Sequence, residues 1–334
     1  MIEIRKQAYP RAGLIGNPSD GYNGKTIAFS VKNYYAEVVL RDSEKLTISA
    51  TVRDEASYDD IHSLHNDICL HGYYGGIRLI KATIKVFVDY CRLTEQPLKS
   101  GNFSLTYFSN IPQQVGMAGS SAIIVATLRT LMEFYDVSID KRVQPSVVFS
   151  VESDELGIGG GLQDRVIQVY EGAVAMDFSV EAMTKIHHYD VGVYTPLNTA
   201  ALPPLYIAYR PASSEPTEVF HNDLRERYNA GDSAVVNAMK AFARLTDRAL
   251  GVLESNDLDA LGPLLDENFD LRQAMCELNP QHVEMVTTAR SIGVSAKYAG
   301  SGGAIVGSYR DDQQFAQLRD CMEKLGCIVI KPIM

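Results

Sequence analysis

The sequence FSLTYFSNIPQQVGMAGSSAIIVATLRTLMEFY, residues 103–135, joins three kinds of segment. Apolar and polar residues alternate at 103–109, which predicts a strand, and apolar residues recur at helical spacing from 122 to 135, which predicts a helix. Between them lies the loop GMAGSSA, residues 116–122. Backbone N–H groups in such a loop and the positive end of the helix dipole bind anions, above all phosphate. We therefore expect a phosphate to be held by Gly116, Met117, Ala118, Gly119, Ser120, Ser121 and Ala122.

The loop by itself is a weak signal. No lysine follows its second glycine, so it is not a P-loop, and it lacks the spacing GxGxxG. A turn of small residues with a serine helix cap is the commoner explanation for an isolated loop of this kind. A function has to be argued from the loop together with other segments.

The remaining patterns predict a mixed fold. We expect strands at 26–32, 36–40, 173–178, 204–209 and 327–331, and helices at 77–90, 144–156, 229–254, 257–278, 281–292 and 312–325. These elements do not follow the tandem spacing of βαβ units, which favours the α+β class. A chain of 334 residues is typical of about two domains. We place the boundary at residue 190, which gives domains 1–190 and 191–334.

Composition limits the possible partners. The net charge is −10, with 41 acidic and 31 basic residues and no basic run, which argues against nucleic acid as a partner. No apolar run reaches membrane-spanning length, and the first residues do not resemble a signal peptide. The five cysteines are scattered and odd in number, as expected of free thiols in a reducing compartment. We expect a cytoplasmic protein that does not bind a membrane; composition does not set its oligomeric state.

Two acidic residues flank a second glycine-rich segment. Glu152 and Asp164 lie on either side of GIGGG at 157–161. Phosphoryl transfer requires an acid that holds Mg²⁺ against the phosphates and a base or positioning group at the acceptor hydroxyl. The two residues could fill these roles. Most Glu and Asp residues in such positions are, however, solvent-exposed charges at helix ends.

Two further segments complete the set. In PRAGLIGNPSD, residues 10–20, Arg11 is suited to neutralising a transferred phosphoryl group and Asp20 to accepting hydrogen bonds from sugar hydroxyls. In YAGSGGA, residues 298–304, the glycines allow the backbone to approach a ligand closely. Each segment alone is typical of a loop.

In this order the segments resemble the GHMP family of kinases. RAGLIGNPSD resembles the first motif of that family, IPQQVGMAGSSA the phosphate-binding second motif and AGSGGA the glycine-rich third motif. The resemblance implies a two-domain fold, with an N-terminal ribosomal-protein-like βαβ domain and a C-terminal ferredoxin-like α+β domain. It also implies an enzyme that uses ATP and Mg²⁺. Asp164 is then the base or positioning group, Arg11 steadies the phosphoryl group, and Glu152 binds Mg²⁺ with Ser121, which we prefer to Ser120.

The extra residue in GMAGSS and the stretch LGIGGGLQD are similar to the sugar-1-kinases, and among them to the plant glucuronokinases. This resemblance implies a sugar or sugar acid as substrate, with D-glucuronate phosphorylated at its anomeric hydroxyl. Asn17-Pro18 stands where the galactokinase motif has Glu-His, so the hydroxyls recognised there stay open. The expected substrate-binding residues are Asn17, Ser19, Asp20, Arg165, Arg272, Gly300, Ser301, Gly302 and Gly303. The candidates for pairing with a sugar carboxylate are Arg165, Arg272, Lys297 and Lys25.

Three alternatives stay open. The acceptor could be another sugar, such as a heptose phosphate, fucose or galactose, because one fold accommodates many substrates. A second alternative is a non-catalytic sugar or nucleotide sensor with the same fold. A third is ATP-dependent decarboxylation. We interpret His62, His65 and His71 as polar surface residues rather than metal ligands.

Overall fold

The computed structural model describes residues 2–49, 56–71, 77–113, 115–211 and 224–334. The strands are β1 (Glu3–Ala8), β2 (Arg11–Ile15), β3 (Lys25–Ser30), β4 (Ala36–Ser43), β5 (Leu46–Ser49), β6 (Ala56–Tyr58), β7 (Asn102–Ser109), β8 (Ala173–Asp177), β9 (Thr184–Ile186), β10 (Tyr189–Val191), β11 (Val193–Leu197), β12 (Leu205–Tyr209), β13 (Lys297–Tyr298), β14 (Ala304–Ser308) and β15 (Ile328–Ile330). The helices are α1 (Ile61–His71), α2 (Arg78–Leu93), α3 (Gly119–Tyr135), α4 (Gln144–Ser150), a π-helical turn (Val151–Glu155), α5 (Gln163–Tyr170), α6 (224–229), α7 (Ser233–Ser255), α8 (Leu261–Met275), α9 (Pro280–Ser291) and α10 (Asp312–Lys324).

The first sheet has the strand order β1-β4-β7-β5-β6. All its pairs are antiparallel except β5 with β7. Helix α3 packs against β1 and β4, so the helix that follows the GMAGSSA loop is fixed on this sheet. Phe103 and Leu105 of β7 are fully buried, as the alternation in the sequence predicts.

The second sheet has the order β11-β8-β3-β2 and is antiparallel throughout. Helices α5 and α7 both pack on its central strand β3. Ala28 belongs to the apolar cluster that includes α5, while Ile27 and Phe29 belong to the main core that includes α7. The strand is therefore covered on both faces, which explains its continuous run of buried residues.

The third sheet, β13-β14-β12-β15, lies in the C-terminal part of the chain. Helices α8, α9 and α10 pack against its strands. Their apolar cluster includes Tyr206, Phe269, Met285 and Leu318. The three sheets with their helices confirm the α+β class. The division at residue 190 stays a prediction; since β11 still pairs with β8, strand pairing favours a boundary several residues later.

Several elements differ from the sequence-based expectations. Helix α1 and the hairpin β9–β10 were not predicted, and the helix predicted at 144–156 is α4 followed by the π-helical turn. The interpretation of His65 as a surface residue is wrong: it is buried, and its Nε2 lies 2.7 Å from Asp89 Oδ1. Within the described ranges, no helix is both long and apolar enough to cross a membrane.

Candidate active site

A cleft of about 760 Å³ brings together the four segments singled out in the sequence. It is lined by parts of the loop after β2, the loop before α3, the π-helical turn, the glycines before α5 and the loop between β13 and β14. These segments come from all three sheets and their connections. The cleft is thus formed only when the whole chain is folded.

The loop before α3 presents its backbone to the cleft. Ala118 has φ 61° and ψ 50°, so the chain turns through a left-handed conformation directly before α3 begins at Gly119. Residues 116–121 line the cleft, and the first N–H groups of α3 have no partners within the helix. Such a helix end attracts anions. Ala122 is fully buried and does not line the cleft.

The two serines of the loop have different surroundings. Ser120 Oγ donates a hydrogen bond to Glu152 Oε1 at 2.8 Å. Ser121 is buried, and its hydroxyl donates to the carbonyl oxygen of Ala118 at 3.3 Å. The structure therefore joins Glu152 to Ser120 and not to Ser121, the reverse of the preference derived from the sequence.

Glu152 is held by a buried ion pair. Its Oε2 accepts hydrogen bonds from Nε (2.7 Å) and Nη2 of Arg165. Only 1% of the Glu152 side chain and 5% of the Arg165 side chain are exposed. Burial opposes the charge on Arg165, but the neighbouring carboxylates of Glu152 and Asp164 outweigh it and raise the pKa of the guanidinium. Arg165 thus keeps its charge and fixes Glu152 against the loop.

Arg11 joins the first motif to Asp164. Its Nε donates to Asp164 Oδ1 at 2.5 Å, and its Nη1 donates to the carbonyl oxygen of Gly116 at 2.5 Å. Only 7% of the Arg11 side chain and 19% of the Asp164 side chain are exposed. Both side chains line the cleft. One cation therefore fixes a carboxylate beside the start of the anion-binding loop.

Asp20 lies close enough to Asp164 for the two charges to interact. Its Oδ2 accepts a hydrogen bond from the backbone N–H of Gln163 at 3.3 Å. A Cβ atom on Gly161 would lie 2.0 Å from the same oxygen, so a glycine is required there. Burial and, next, the negative charge of Asp164 raise the pKa of Asp20 to about 6. Asp164 is thus close enough to Asp20 to affect its ionisation.

The third motif supports the other loops. A Cβ atom on Gly300 would lie 2.1 Å from the carbonyl oxygen of Gly116, so the two backbones are in direct contact. Arg272 is buried and donates to the carbonyl oxygens of Gly300 (2.7 Å) and Ser301 (2.9 Å). Burial lowers its pKa. This contact sets the position of the loop at 300–303 relative to the phosphate-binding loop.

Lys297 supports the first motif from behind. Its Nζ is buried and donates to Asn17 Oδ1 at 2.6 Å and to the carbonyl oxygens of Gly13 and Tyr298. Burial lowers the pKa of Lys297 well below its usual value, and the charges of Arg272 and Arg11 act in the same direction. Asn17 therefore lines the cleft with its side-chain oxygen, Oδ1, already bonded to Lys297.

Some expected substrate contacts are not found. Ser19, Gly302 and Gly303 do not line the cleft. Ser19 is buried, and its hydroxyl donates to the carbonyl oxygen of Lys25. The four cations expected to pair with a sugar carboxylate bond to groups of the protein: Arg165 to Glu152, Arg272 to Gly300 and Ser301, Lys297 to Asn17, and Lys25 to Asp177 and Asp247. All four therefore already have partners within the protein; Arg165 and Arg272 also line the cleft, and a role of any of the four in binding a sugar carboxylate stays a prediction.

Two arginines that the sequence did not single out also line the cleft. Arg225 lies on α6 and Arg78 is the first residue of α2, and both side chains are exposed. Neither belongs to a glycine-rich segment or to a recognisable motif. Only the packing of their helices against the loops could identify them.

The geometry agrees with comparisons to known proteins. Residues 78–172 match the family model described as the GHMP kinases N terminal domain. The chain is 42% identical over 310 residues to glucuronokinase 1 of Arabidopsis thaliana. The aligned region covers 91% of this chain and 84% of the relative. It is 41% identical to probable glucuronokinase 2 of the same plant, over 90% and 82% of the two chains. The chain belongs to the GHMP kinase family.

A solved structure supports the same fold. The crystal structure of Lactococcus lactis galactokinase in complex with galactose matches with a TM-score of 0.78 at 14% identity, over 99% of this chain and 93% of that one. At this identity the match shows the fold alone. The GHMP kinase assignment means that the chain is an enzyme with ATP as its phosphoryl donor. Binding of the phosphates at the loop 116–121 stays a prediction.

Proposed function

We propose that this GHMP kinase transfers the γ-phosphoryl group of ATP to the anomeric hydroxyl of D-glucuronate, giving glucuronate 1-phosphate. The observation that carries the proposal is the contact between Arg11 and Asp164 beside Gly116, which combines a cation and a carboxylate at the end of an anion-binding loop. The high identity to two proteins named as glucuronokinases supports the choice of acceptor.

Asp164 acts on the acceptor hydroxyl. The oxygen of that hydroxyl forms a bond to the γ-phosphorus, the bond from this phosphorus to the β–γ bridging oxygen breaks, ADP leaves and the hydroxyl proton passes to Asp164. Arg11 holds the Asp164 carboxylate at 2.5 Å and keeps it directed at the acceptor. Its positive charge lies where negative charge develops on the phosphoryl oxygens.

Ser120 and Glu152 would provide oxygen ligands for Mg²⁺ in this proposal. This ion takes oxygen ligands, usually one or two carboxylates completed by substrate phosphates, and when bound it neutralises charge on those phosphates. Glu152 Oε1 and Ser120 Oγ are 2.8 Å apart at the edge of the cleft. Among the described residues, no group of three or more His, Cys, Asp or Glu side chains could hold a metal by itself, which suits an ion shared with the nucleotide.

Asp20 and Asn17 form the sugar end of the cleft in this proposal. Both line it, and Asp20 accepts hydrogen bonds when ionised. Because the residue before Pro18 is an asparagine whose oxygen already bonds to Lys297, Asp20 carries more of the hydroxyl recognition. A cytoplasmic location stays a prediction.

A panel of acceptors tests the proposed function. Purified protein is incubated with MgATP and D-glucuronate, D-glucose, D-galactose, L-fucose or a heptose phosphate, and ADP release is measured with a coupled assay. We expect the highest kcat/KM with D-glucuronate and phosphate at carbon 1 of the product by NMR. Asp164→Asn is the control for activity from contaminating kinases.

Other outcomes point to the alternatives. A higher kcat/KM for a neutral hexose or for a heptose phosphate would contradict glucuronate as the acceptor. Binding of sugar and nucleotide without any ADP release would favour a sensor. Release of carbon dioxide together with ADP would identify a decarboxylase.

A further inference from the structure

Arg225 lies on α6 at the edge of the cleft with an exposed side chain. Its Nη1 donates to the carbonyl oxygen of Gly21 at 2.7 Å, and its Nη2 donates to that of Gly160 at 3.4 Å. The guanidinium carbon also lies 4.7 Å from the centre of the Tyr22 ring. Three contacts thus orient the guanidinium on one wall of the cleft.

This wall is the one that carries Asp20. Gly21 follows Asp20 directly, and Gly160 precedes the glycine that touches the Asp20 carboxylate. Arg225 therefore bridges the two backbone segments that enclose Asp20. Within the described ranges both hydrogen bonds of Arg225 are to these segments and none is to the phosphate-binding loop, which places Arg225 at the acceptor end of the cleft.

The contacts of Arg225 leave its charge unneutralised. Arg11 and Arg165 are each paired with a carboxylate of the site, whereas no carboxylate within the described ranges pairs with Arg225. Carbonyl oxygens orient a guanidinium without cancelling its charge. Two of its five N–H donors are used in these bonds, which leaves donors for a further acceptor.

A negatively charged acceptor needs such a group. Three carboxylates line the site, from Asp20, Glu152 and Asp164, and two of the five arginines that line it, Arg11 and Arg165, are paired with them. A sugar acid that enters beside Asp20 and Asp164 adds another negative charge. A guanidinium can bind a carboxylate with two parallel hydrogen bonds, and its planar shape favours this over a lysine.

We propose that Arg225 binds the carboxylate of the sugar acid and gives this kinase its selectivity for uronates over neutral sugars. The inference rests on the proposed function, because it takes the acceptor end to lie beside Asp20 and Asp164. Arg225 differs from Arg165 and Lys25, which pair with carboxylates, and from Arg272 and Lys297, which are buried.

The test compares D-glucuronate with D-glucuronamide, which has the same shape without the charge. Arg225→Met should lower kcat/KM for glucuronate by about 10- to 100-fold, mainly through a higher KM, as expected for a lost charge-assisted contact. With glucuronamide the change should stay within about 3-fold. Arg225→Lys should restore part of the activity with glucuronate, since it keeps the charge but not the planar fork.

Two controls make the result specific. Arg248→Met removes an exposed arginine that pairs with Glu267 outside the cleft. It should leave kcat/KM unchanged for both substrates. Arg78→Met removes the other exposed arginine of the cleft and should change kcat/KM for both substrates by the same factor. A selective loss of glucuronate activity in Arg78→Met, or equal losses with both substrates in Arg225→Met, would overturn the proposal.

Failure of this inference can be separated from failure of the proposed function. A wild-type enzyme that does not phosphorylate glucuronate refutes the function, whereas an active wild type with an unchanged substrate ratio in Arg225→Met refutes only the role of Arg225. Equilibrium dialysis with labelled glucuronate measures binding without turnover. Equal affinity of wild type and Arg225→Met for glucuronate would also overturn the role of Arg225, and weaker binding to the variant would support it. Thermal unfolding confirms that each variant is folded.

Discussion

Replacing Asp20 by asparagine should stabilise the folded protein at neutral and alkaline pH. Burial and the neighbouring Asp164 raise the pKa of Asp20 from its ordinary value of 3.8 to about 6. Above pH 6 the side chain is ionised in both the folded and the unfolded chain, and the folded chain bears the cost of the buried charge. Asparagine is neutral at every pH and still accepts the hydrogen bond from the Gln163 N–H. The charge that we propose for substrate recognition is therefore a source of instability.

The size of the effect follows from the pKa. A rise from 3.8 to about 6 corresponds to about 3 kcal/mol at about 1.36 kcal/mol per pKa unit, which is an upper limit for the gain in the free energy of unfolding at pH 8. The sign follows from protonation. Because the folded chain binds this proton more tightly, the penalty is absent when both states are protonated and grows as pH rises. The gain should thus fall below about 1 kcal/mol at pH 4.

Urea unfolding of wild type and Asp20→Asn at pH 4 and pH 8 measures the difference. Asp320→Asn, which removes a carboxyl that is 64% exposed, controls for the substitution itself. Equal stability of wild type and Asp20→Asn at pH 8, or the same difference at both pH values, would refute the argument. We also expect the stabilised variant to bind the sugar more weakly, since it loses an ionised acceptor in the cleft.

Three further predictions concern the catalytic centre. Asp164→Asn should lower kcat by about 10²- to 10⁴-fold with nucleotide affinity retained, and near-normal turnover in a coupled assay would exclude a role in proton transfer. Ser120→Ala should raise the Mg²⁺ concentration for half-maximal activity by about 10-fold or more, and Ser121→Ala by less than about 3-fold; the reverse order would restore the preference derived from the sequence. Arg165→Met should lower the free energy of unfolding by about 3–5 kcal/mol because Glu152 is left as an unpaired buried charge, and addition of Glu152→Gln should recover part of the loss in urea unfolding. A double variant no more stable than the single one would contradict that cause.

Local patterns predicted much of the fold. The strand predicted at 103–109 and the helix predicted at 122–135 correspond to Asn102–Ser109 and Gly119–Tyr135, and the helices of the C-terminal part likewise follow from helical spacing. The hairpin β9–β10 was missed because its strands have three residues each, too few to show a period. The π-helical turn was missed because its hydrogen bonds leave no trace in apolar spacing.

The sequence by itself determined the GHMP kinase family and singled out Arg11, Asp20, Glu152 and Asp164 as candidates, because phosphoryl transfer calls for glycine-rich loops, cations and carboxylates. Only the tertiary structure decided what these residues touch. Arg11 and Asp164 are 153 positions apart in the chain, and their contact depends on how sheets and helices pack. The same packing paired Arg165 with Glu152, joined Ser120 to Glu152 and placed Arg225 against Gly21 and Gly160. Contacts between distant segments are set by the shape of the whole core, which no local pattern records.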